Sequence, residues 1–305
     1  MNLASADVLR HAARHFGRFS GFTAARFKTG WAATALLAAA LGTALPASGA
    51  EEKPLWELGA GVTALTFPAY RGSDQTNNFV LPFPYFTYHG KVLKADRQGV
   101  RASLFDSDRV DLTISAALSP PSSSKDIRIR NGMPDLEGSF EIGPQVNLTL
   151  WRSDDRARFV KLLLPMRAAF TLEGSPKDIG WVFHPKLNMD ITDLPGFNGW
   201  RLGMLAGPLF GDKRQHDYYY SVDPRYATAG RPAYQAEAGY GGMQYLASFS
   251  KRFPKFWVGA FARYDNLGGA TFADSPLVRQ QDYVAAGVAV AWVLGESSTR
   301  VRVDD

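Results

Sequence analysis

The chain has 305 residues, which is enough for one large domain or two small ones. It contains no cysteine, so a disulfide framework, a thiolate metal site and a cysteine nucleophile are all excluded. The formal net charge of +5 and the pI of about 9.3 would fit a nucleic-acid partner, but the position of the basic residues argues against one.

The first fifty residues have the pattern of a secretory signal peptide. A leader with five basic residues and one acidic residue precedes an apolar run from Trp31 to Leu45, and small residues lead up to cleavage after Ala50. The run is shorter than the roughly 20 residues of a membrane-spanning helix, so an uncleaved anchor is the weaker alternative. Cleavage reduces the 34 basic and 29 acidic residues to 29 and 28, so no nucleic-acid partner is expected.

Beyond Ala50, apolar and polar side chains alternate in long segments, which is the period of a β-strand. The clearest segment is Leu136–Trp151, whose even positions are almost all apolar and whose odd positions are mostly polar. The same alternation recurs in Trp56–Ala64, Val110–Leu118, Trp181–Ile191, Met243–Phe249 and Val284–Trp292. A sustained helical period is missing, so we predict an all-β protein.

Two all-β architectures compete, a soluble sandwich or barrel and an outer-membrane barrel. Soluble strands usually have about five or six residues, whereas a tilted membrane crossing needs about ten, as these segments have. Tryptophans near the segment ends fit interfacial girdles. Long connections alternate with short polar turns at Asp106–Arg109, Ser153–Arg156, Asp193–Asn198 and Arg252–Lys255. We therefore predict an antiparallel transmembrane β-barrel over residues 51–294.

The predicted barrel has about ten strands, with twelve as the alternative. The uncertain region is 78–104, where FVLPFPYFTYHGKVL reads as one strand with a bulge at His89-Gly90 or as an additional hairpin. Pro82 and Pro84 remove ladder donors and favour the smaller count. Residues 295–305 are predicted to form a polar periplasmic tail.

The polar faces of the segments carry charged side chains in mid-strand. On a soluble protein these would be the solvated outside, whereas in a membrane barrel they line the lumen. The predicted lumen-facing polar residues are Glu137, Glu141, His184, Lys186, Asp190, Arg263 and Asp265. No motif pairs a histidine with a nucleophile, and no metal-ligand spacing is present, so we predict neither catalytic residues nor a cofactor or metal.

Several short motifs resemble those of the MipA/OmpV family, the MltA-interacting protein family. They are Tyr70-Arg71-Gly72-Ser73-Asp74, Pro82–Tyr85, the segment 218–250, Arg263-Tyr264 and Asp274–Leu277. Together they extend over nearly the whole mature chain. The resemblance implies an outer-membrane barrel whose family motif residues are Tyr70, Gly72, Ser73, Asp74, Ser275 and Pro276. One role in the family is that of a scaffold joining a murein-degrading transglycosylase to a murein synthase.

Three functions therefore stay open. The first is a non-enzymatic envelope scaffold in the outer membrane, with membrane lipid and periplasmic murein hydrolases or synthases as partners. The second is a narrow pore for small solutes, and the third, a remote one, is a lipid-modifying hydrolase. The tyrosine-rich stretch DYYYSVDPRY, 217–226, is equally a binding surface or an ordered loop over the barrel mouth.

Overall fold

The computed structural model describes residues 51–89, 93–96, 99–107, 109–172, 174–194 and 196–303, so the predicted signal peptide lies outside the described residues. The described strands are β1 (Glu51–Pro54), β2 (Trp56–Pro68), β3 (Thr76–His89), β4 (Leu93–Asp96), β5 (Gly99–Asp106), β6 (Val110–Ser119), β7 (Ser139–Arg152), β8 (Arg158–Thr171), β9 (Asp178–Phe183), β10 (Lys186–Leu194), β11 (Phe197–Gly211), β12 (Gly239–Arg252), β13 (Phe256–Asn266), β14 (Asp282–Glu296) and β15 (Arg300–Val303).

Helices occur only in the connections of the described chain. One α-helix, α1, extends over Lys213–Tyr220, and three single-turn 3-10 helices occupy Ser124–Asp126, Arg128–Arg130 and Pro224–Tyr226. None of the helices in these ranges is long and apolar enough to cross a membrane.

Strands β2 to β14 form a single antiparallel sheet of thirteen strands that closes on itself. Sequence neighbours pair with each other except β9 and β10, and β14 pairs with β2. Both β8 and β11 pair with β9 and with β10. Segments β9 and β10 are therefore two parts of one crossing, interrupted at His184 and Pro185. Counting them once, the described strands form a ring of twelve, which includes the short strands β4 and β5.

The additional hairpin considered for residues 78–104 is present as β4 and β5, so the larger of the two strand counts applies. The hairpin is short: β4 pairs with β3 only at Tyr88 and His89, and β5 pairs with β6 only at Ser103, Phe105 and Asp106. Pro82 and Pro84 lie in the part of β3 that has a ladder on one side only. The two prolines therefore lie at a strand edge without hydrogen-bond partners on one side in the described chain, and their presence did not exclude the hairpin.

The barrel wall is inverted relative to a soluble protein. Large apolar side chains face outwards, with Leu150 56%, Val288 57% and Val284 61% exposed, whereas Asn147 and Asp265 are buried inside. In β7 the even positions face outwards, as predicted, up to a register shift between Thr149 and Trp151. At that shift the adjacent residues Leu150 and Trp151 are both exposed.

A separate two-stranded sheet lies at the end of the barrel that carries the short turns. Strand β1 pairs with β15, and the N–H of Leu55 donates to the carbonyl of Thr299 at 2.9 Å. The last barrel strand ends at Glu296, two residues beyond the predicted limit of 294. Residues 300–303 of the predicted polar tail are therefore a paired strand.

Candidate functional site

The lumen contains an ion-pair cluster centred on Asp265. This carboxylate is fully buried and accepts from Arg263 at 2.7 Å, from Arg71 at 3.0 Å and from Gln244 Nε2 at 3.2 Å. Arg71 comes from the loop after β2, whereas the other three residues lie on β12 and β13. The cluster therefore fixes a loop to the inner wall, and burial of Asp265 is offset by two guanidinium partners.

A second ion pair lies on the neighbouring part of the wall. Arg167 on β8 donates to Glu141 on β7 at 2.8 Å and to the hydroxyl of Ser115 on β6 at 3.4 Å. Lys161 lies 4.0 Å from Asp111 across the same strands. These contacts join β6, β7 and β8 through side chains that all point inwards.

The crossing formed by β9 and β10 brings His184, Lys186 and Asp190 to the lumen. The strand breaks at His184 because Pro185 has no N–H to donate to a ladder. Asn188 donates to Asp190 Oδ2 at 2.7 Å, but Asp190 Oδ1 and His184 Nε2 have no hydrogen-bond partner among the described residues. All three predicted residues line an internal cavity of about 590 Å³.

Of the other predicted lumen residues, Glu141 and Arg263 also line this cavity. Glu137 lies just before β7, at the top of the cavity, where its backbone carbonyl accepts from the Tyr218 hydroxyl at 3.3 Å. Asp265 lies within hydrogen-bond distance of Arg263 and is shielded from solvent. The structure therefore places the seven residues in one interior, in four groups: Arg263 with Asp265, Glu141 with Arg167, the three residues of β9 and β10, and Glu137 at the top.

The opposite end of the lumen is filled by a cluster that the sequence analysis missed. Arg252 donates to Glu57 at 2.9 Å, and the hydroxyls of Tyr85 and Thr87 donate to the same carboxylate at 3.0 and 3.2 Å. Above these groups pack buried apolar residues, Leu65, Phe83, Tyr85, Trp257, Ala289 and Ala291. Arg252 belongs to the predicted turn Arg252–Lys255, but in the structure it is the last residue of β12 and its side chain points inwards.

The long connections 69–75, 120–138, 212–238 and 267–281 pack together into what we call the cap. Its buried centre comprises Tyr70, Ile127, Leu136, Tyr220, Val222, Ala236, Leu267, Ala270, Phe272 and Leu277. The rings of Tyr220 and Phe272 stack with their centroids 3.6 Å apart. Stretch 217–226 begins in α1 and is folded into this cap, with Tyr220 at its centre.

The family motif residues are part of the cap. The Tyr70 hydroxyl donates to the Leu277 carbonyl at 2.6 Å, and burial raises the pKa of this phenol, which keeps it protonated. The Gly72 carbonyl accepts from the N–H groups of Arg279 and Gln280. Gly72 has φ +95°, and an added Cβ would lie 3.1 Å from Leu267, so a larger residue would be strained and crowded.

The remaining motif residues lie in the same two cap loops as Tyr70 and its acceptor Leu277. Ser73 is fully buried, and its carbonyl accepts from Gln280 Nε2 at 2.7 Å. Ser275 donates to the Tyr220 carbonyl at 2.6 Å and begins a turn closed by Val278, in which Pro276 is the second residue. Asp74 is at the surface, 3.0 Å from Arg128.

Two buried arginines further connect the cap. Arg130 donates to the carbonyls of Tyr219 and Pro134, and Arg231 donates to the carbonyls of Ile129, Asn131 and Tyr226. These bonds join the loop after β6 to the loop after β11. No sequence pattern pointed to either arginine, because their acceptors are backbone atoms of a distant loop.

The site shows no arrangement characteristic of a metal centre. Within the described ranges, no group of three or more His, Cys, Asp or Glu side chains is placed to hold a metal ion. The ring of His184 has no hydroxyl bonded to its Nε2 in that part of the chain.

A closed antiparallel ring with an apolar outside, a charged interior and long loops on one end defines an outer-membrane β-barrel. The chain belongs to the MipA family, because the family model described as "MltA-interacting protein MipA" matches residues 60–294. No curated protein matches the chain.

Among solved structures, the chain is similar to the NanC porin, with 9% identity and a TM-score of 0.38, covering 77% of this chain and 100% of that one. It is also similar to a bacterial polysaccharide outer membrane secretin, with 8% identity and a TM-score of 0.36, over 79% and 99% of the two chains. A third similarity is to the toluene transporter TodX of P. putida, with 11% identity and a TM-score of 0.26, over 80% and 68%.

Proposed function

We propose that the protein is a non-enzymatic scaffold that holds periplasmic murein hydrolases or synthases at the outer membrane. The family description, which names an interaction with MltA, supports a murein-linked partner. The observation that carries the proposal is the sheet formed by β1 and β15. The barrel ring closes without these two strands, so their pairing is not needed to complete the wall.

Both strands of this sheet are edges in the described chain, because each has a single partner. An edge strand presents unpaired N–H and C=O groups, and an extended segment of another protein can pair with them. The sheet lies beside the short turns, the periplasmic side by the usual asymmetry of these barrels. The nearby turn Ser153–Arg156 carries both charge signs, which suits a salt-sensitive contact.

The filled interior favours a scaffold and disfavours a wide channel. Ion pairs occupy the middle of the lumen, the Glu57–Arg252 cluster fills one end, and the cap covers the other. The cavity of about 590 Å³ is the one observation that favours the second candidate, a narrow pore.

The test is capture of a murein transglycosylase and a murein synthase by full-length protein and by a variant lacking Ser297–Asp305. Capture from crosslinked envelopes should fall in the deletion variant and in a control whose tail is replaced by an equally long Gly-Ser segment. Heat-modifiable gel migration should persist in both. Equal recovery would remove the sheet from the mechanism, and steady bilayer conductance without partner capture would replace the scaffold with a pore.

A further inference from the structure

Two charged side chains on the inner face of β10 have no ion-pair partner among the described residues. Lys186 lines the cavity and forms neither an ion pair nor a hydrogen bond in that part of the chain. Asp190 is buried and accepts only from Asn188, through Oδ2, so its Oδ1 has no partner there. Arg201, a buried cation of the adjacent strand, donates to Thr192 at 3.3 Å and not to Asp190. The cavity therefore meets an unpaired cation and an unpaired anion.

These two charges lie at different depths of the cavity. Lys186 and Asp190 are four positions apart on one strand, and a strand rises about 3.3 Å per residue, so their Cα atoms are about 13 Å apart. Lys186 lies opposite Leu163 on β8, whereas Asp190 lies opposite Gly203 on β11, and all four residues line the cavity. A ligand that contacted both charges would therefore have to extend along the strand.

The end of the cavity near Lys186 also carries neutral hydrogen-bonding atoms that lack partners. His184 precedes Lys186 by two positions on the same inner face and is 4% exposed. Gln215 of α1 lies above it, because a Cβ added to Gly211, which pairs with Val182, would lie 3.4 Å from Gln215 Cγ. Neither His184 Nε2 nor Gln215 Oε1 has a hydrogen-bond partner among the described residues. The first can donate in one neutral tautomer, and the second accepts.

Positive charge exceeds negative charge around His184. Three cavity-lining arginines act electrostatically on its ring together with Lys186, and the three share two carboxylates. These residues are Arg71, Arg167 and Arg263, with Glu141 and Asp265 as their partners. Even when Glu137 at the top of the cavity is counted, one positive charge is left over. This end therefore attracts an anionic group, whereas the buried carboxylate of Asp190 attracts a cationic one.

We propose that the cavity binds a short peptide, of about three residues, with a free amino end and a free carboxyl end. Its carboxylate lies at Lys186 and His184, its last N–H donates to Gln215, and its ammonium group lies at Asp190. Three extended residues span about 10 Å, and the long lysine side chain covers the remaining distance. A volume of about 590 Å³ is in the range of pockets for small ligands. This inference is independent of the proposed scaffold, which uses the opposite end of the barrel.

The probe is radiolabelled trialanine, brought to equilibrium by dialysis against the purified full-length barrel in detergent. Two matched ligands each lack one charge, namely N-acetyl-trialanine and trialanine amide. Two variants each remove one charge of the protein, Lys186→Met and the isosteric Asp190→Asn. The control variant is Lys251→Met, which changes a lysine next to the short turn 252–255, away from the cavity. Heat-modifiable gel migration verifies that every variant forms the barrel.

We expect saturable binding of trialanine and about tenfold weaker binding of each matched ligand, because each lacks one charge-assisted contact. Lys186→Met should weaken trialanine about tenfold and leave the amide, which has no carboxylate, unchanged. Asp190→Asn should likewise weaken trialanine and leave the N-acetyl form unchanged, and Lys251→Met should bind like the natural chain.

Absence of saturable binding, or equal affinity for trialanine and both matched ligands, would overturn the proposed ligand. A variant that weakens trialanine and its matched ligand equally would overturn the assigned contact at that residue. None of these results bears on capture of murein enzymes, so the two proposals fail separately.

Discussion

Tyr70 illustrates at the scale of one residue how a motif position stabilises the cap. Its hydroxyl reaches a backbone carbonyl 207 positions away in sequence, at Leu277. Tyr70→Phe removes this donor and leaves a buried carbonyl without its partner, which typically costs about 1–3 kcal/mol. We expect faster amide hydrogen exchange in residues 275–280 with unchanged barrel strands. A matched control is Tyr226→Phe, at the cap surface. Protection that stayed the same would contradict the assigned role.

The orientation of the wall can be tested at two adjacent residues of β7. Val146→Arg should destabilise the barrel by about 2–4 kcal/mol, because it places a charge on the lipid face of a strand near its middle. Gln145→Arg should have a smaller effect, since Gln145 lines the polar cavity and bonds to Asn147 at 2.6 Å. Guanidinium unfolding in lipid vesicles measures both. A larger loss for the Gln145 variant would contradict the orientation.

For single residues, the sequence indicated which face of a strand a side chain occupies, but it did not indicate which distant side chain that residue contacts. The two-residue period placed Glu141, His184 and Lys186 on one face, and the structure has them at the cavity. The partnership of Glu57 with Arg252 was out of reach, because these residues are 195 positions apart and meet only when the ring closes. A period reports which way a side chain points, but it carries no information about which distant strand lies opposite.

At the scale of elements, α1 gives the cap a pH dependence through His216. Nδ1 donates to the Glu237 carbonyl at 2.6 Å, and the ring packs against Phe272. Desolvation lowers the pKa of this histidine below its ordinary value of 6.5. Below pH 6.5 the unfolded segment therefore binds the proton more readily than the folded one, and cap stability falls as the pH falls.

The corresponding measurement is amide hydrogen exchange of residues 212–222 at pH 7.5 and pH 5, corrected for intrinsic rates. Protection should decrease at the lower pH in the natural chain. In His216→Gln, which has no titrating ring, the decrease should be smaller. Equal pH dependence in both chains would assign the effect to other groups.

The hairpin of β4 and β5 shows why element counts were harder to predict than element type. Strand β4 has only four residues, too few for an alternating pattern to emerge. Pro82 and Pro84 favoured the smaller strand count, which was wrong, because they lie beside an edge that arises from the shortness of the hairpin. A local sequence signal such as a proline can indicate that hydrogen bonding between two strands ends, but it does not indicate which element follows.

For the whole molecule, we expect a mature protein that begins near Glu51 and fractionates with the outer membrane. A closed ring of antiparallel strands should resist dodecyl sulfate until heated, giving different gel migration before and after boiling. Intact-mass measurement and gels with and without heating test this. Retention of the first fifty residues would contradict the predicted cleavage.

The pairing of β1 with β15 has a consequence for how the wall depends on chain order. Glu51 lies directly opposite Val303, and β14 completes the ring against β2. The described polypeptide from residue 51 to residue 303 is thus nearly a loop in space, and a short linker between these two residues would make that part circular without moving a strand. A circular permutant opened at Ser153–Arg156 would keep every crossing, while changing which crossings reach the membrane first. Such a permutant would show whether the finished barrel depends on the order in which its strands enter the membrane.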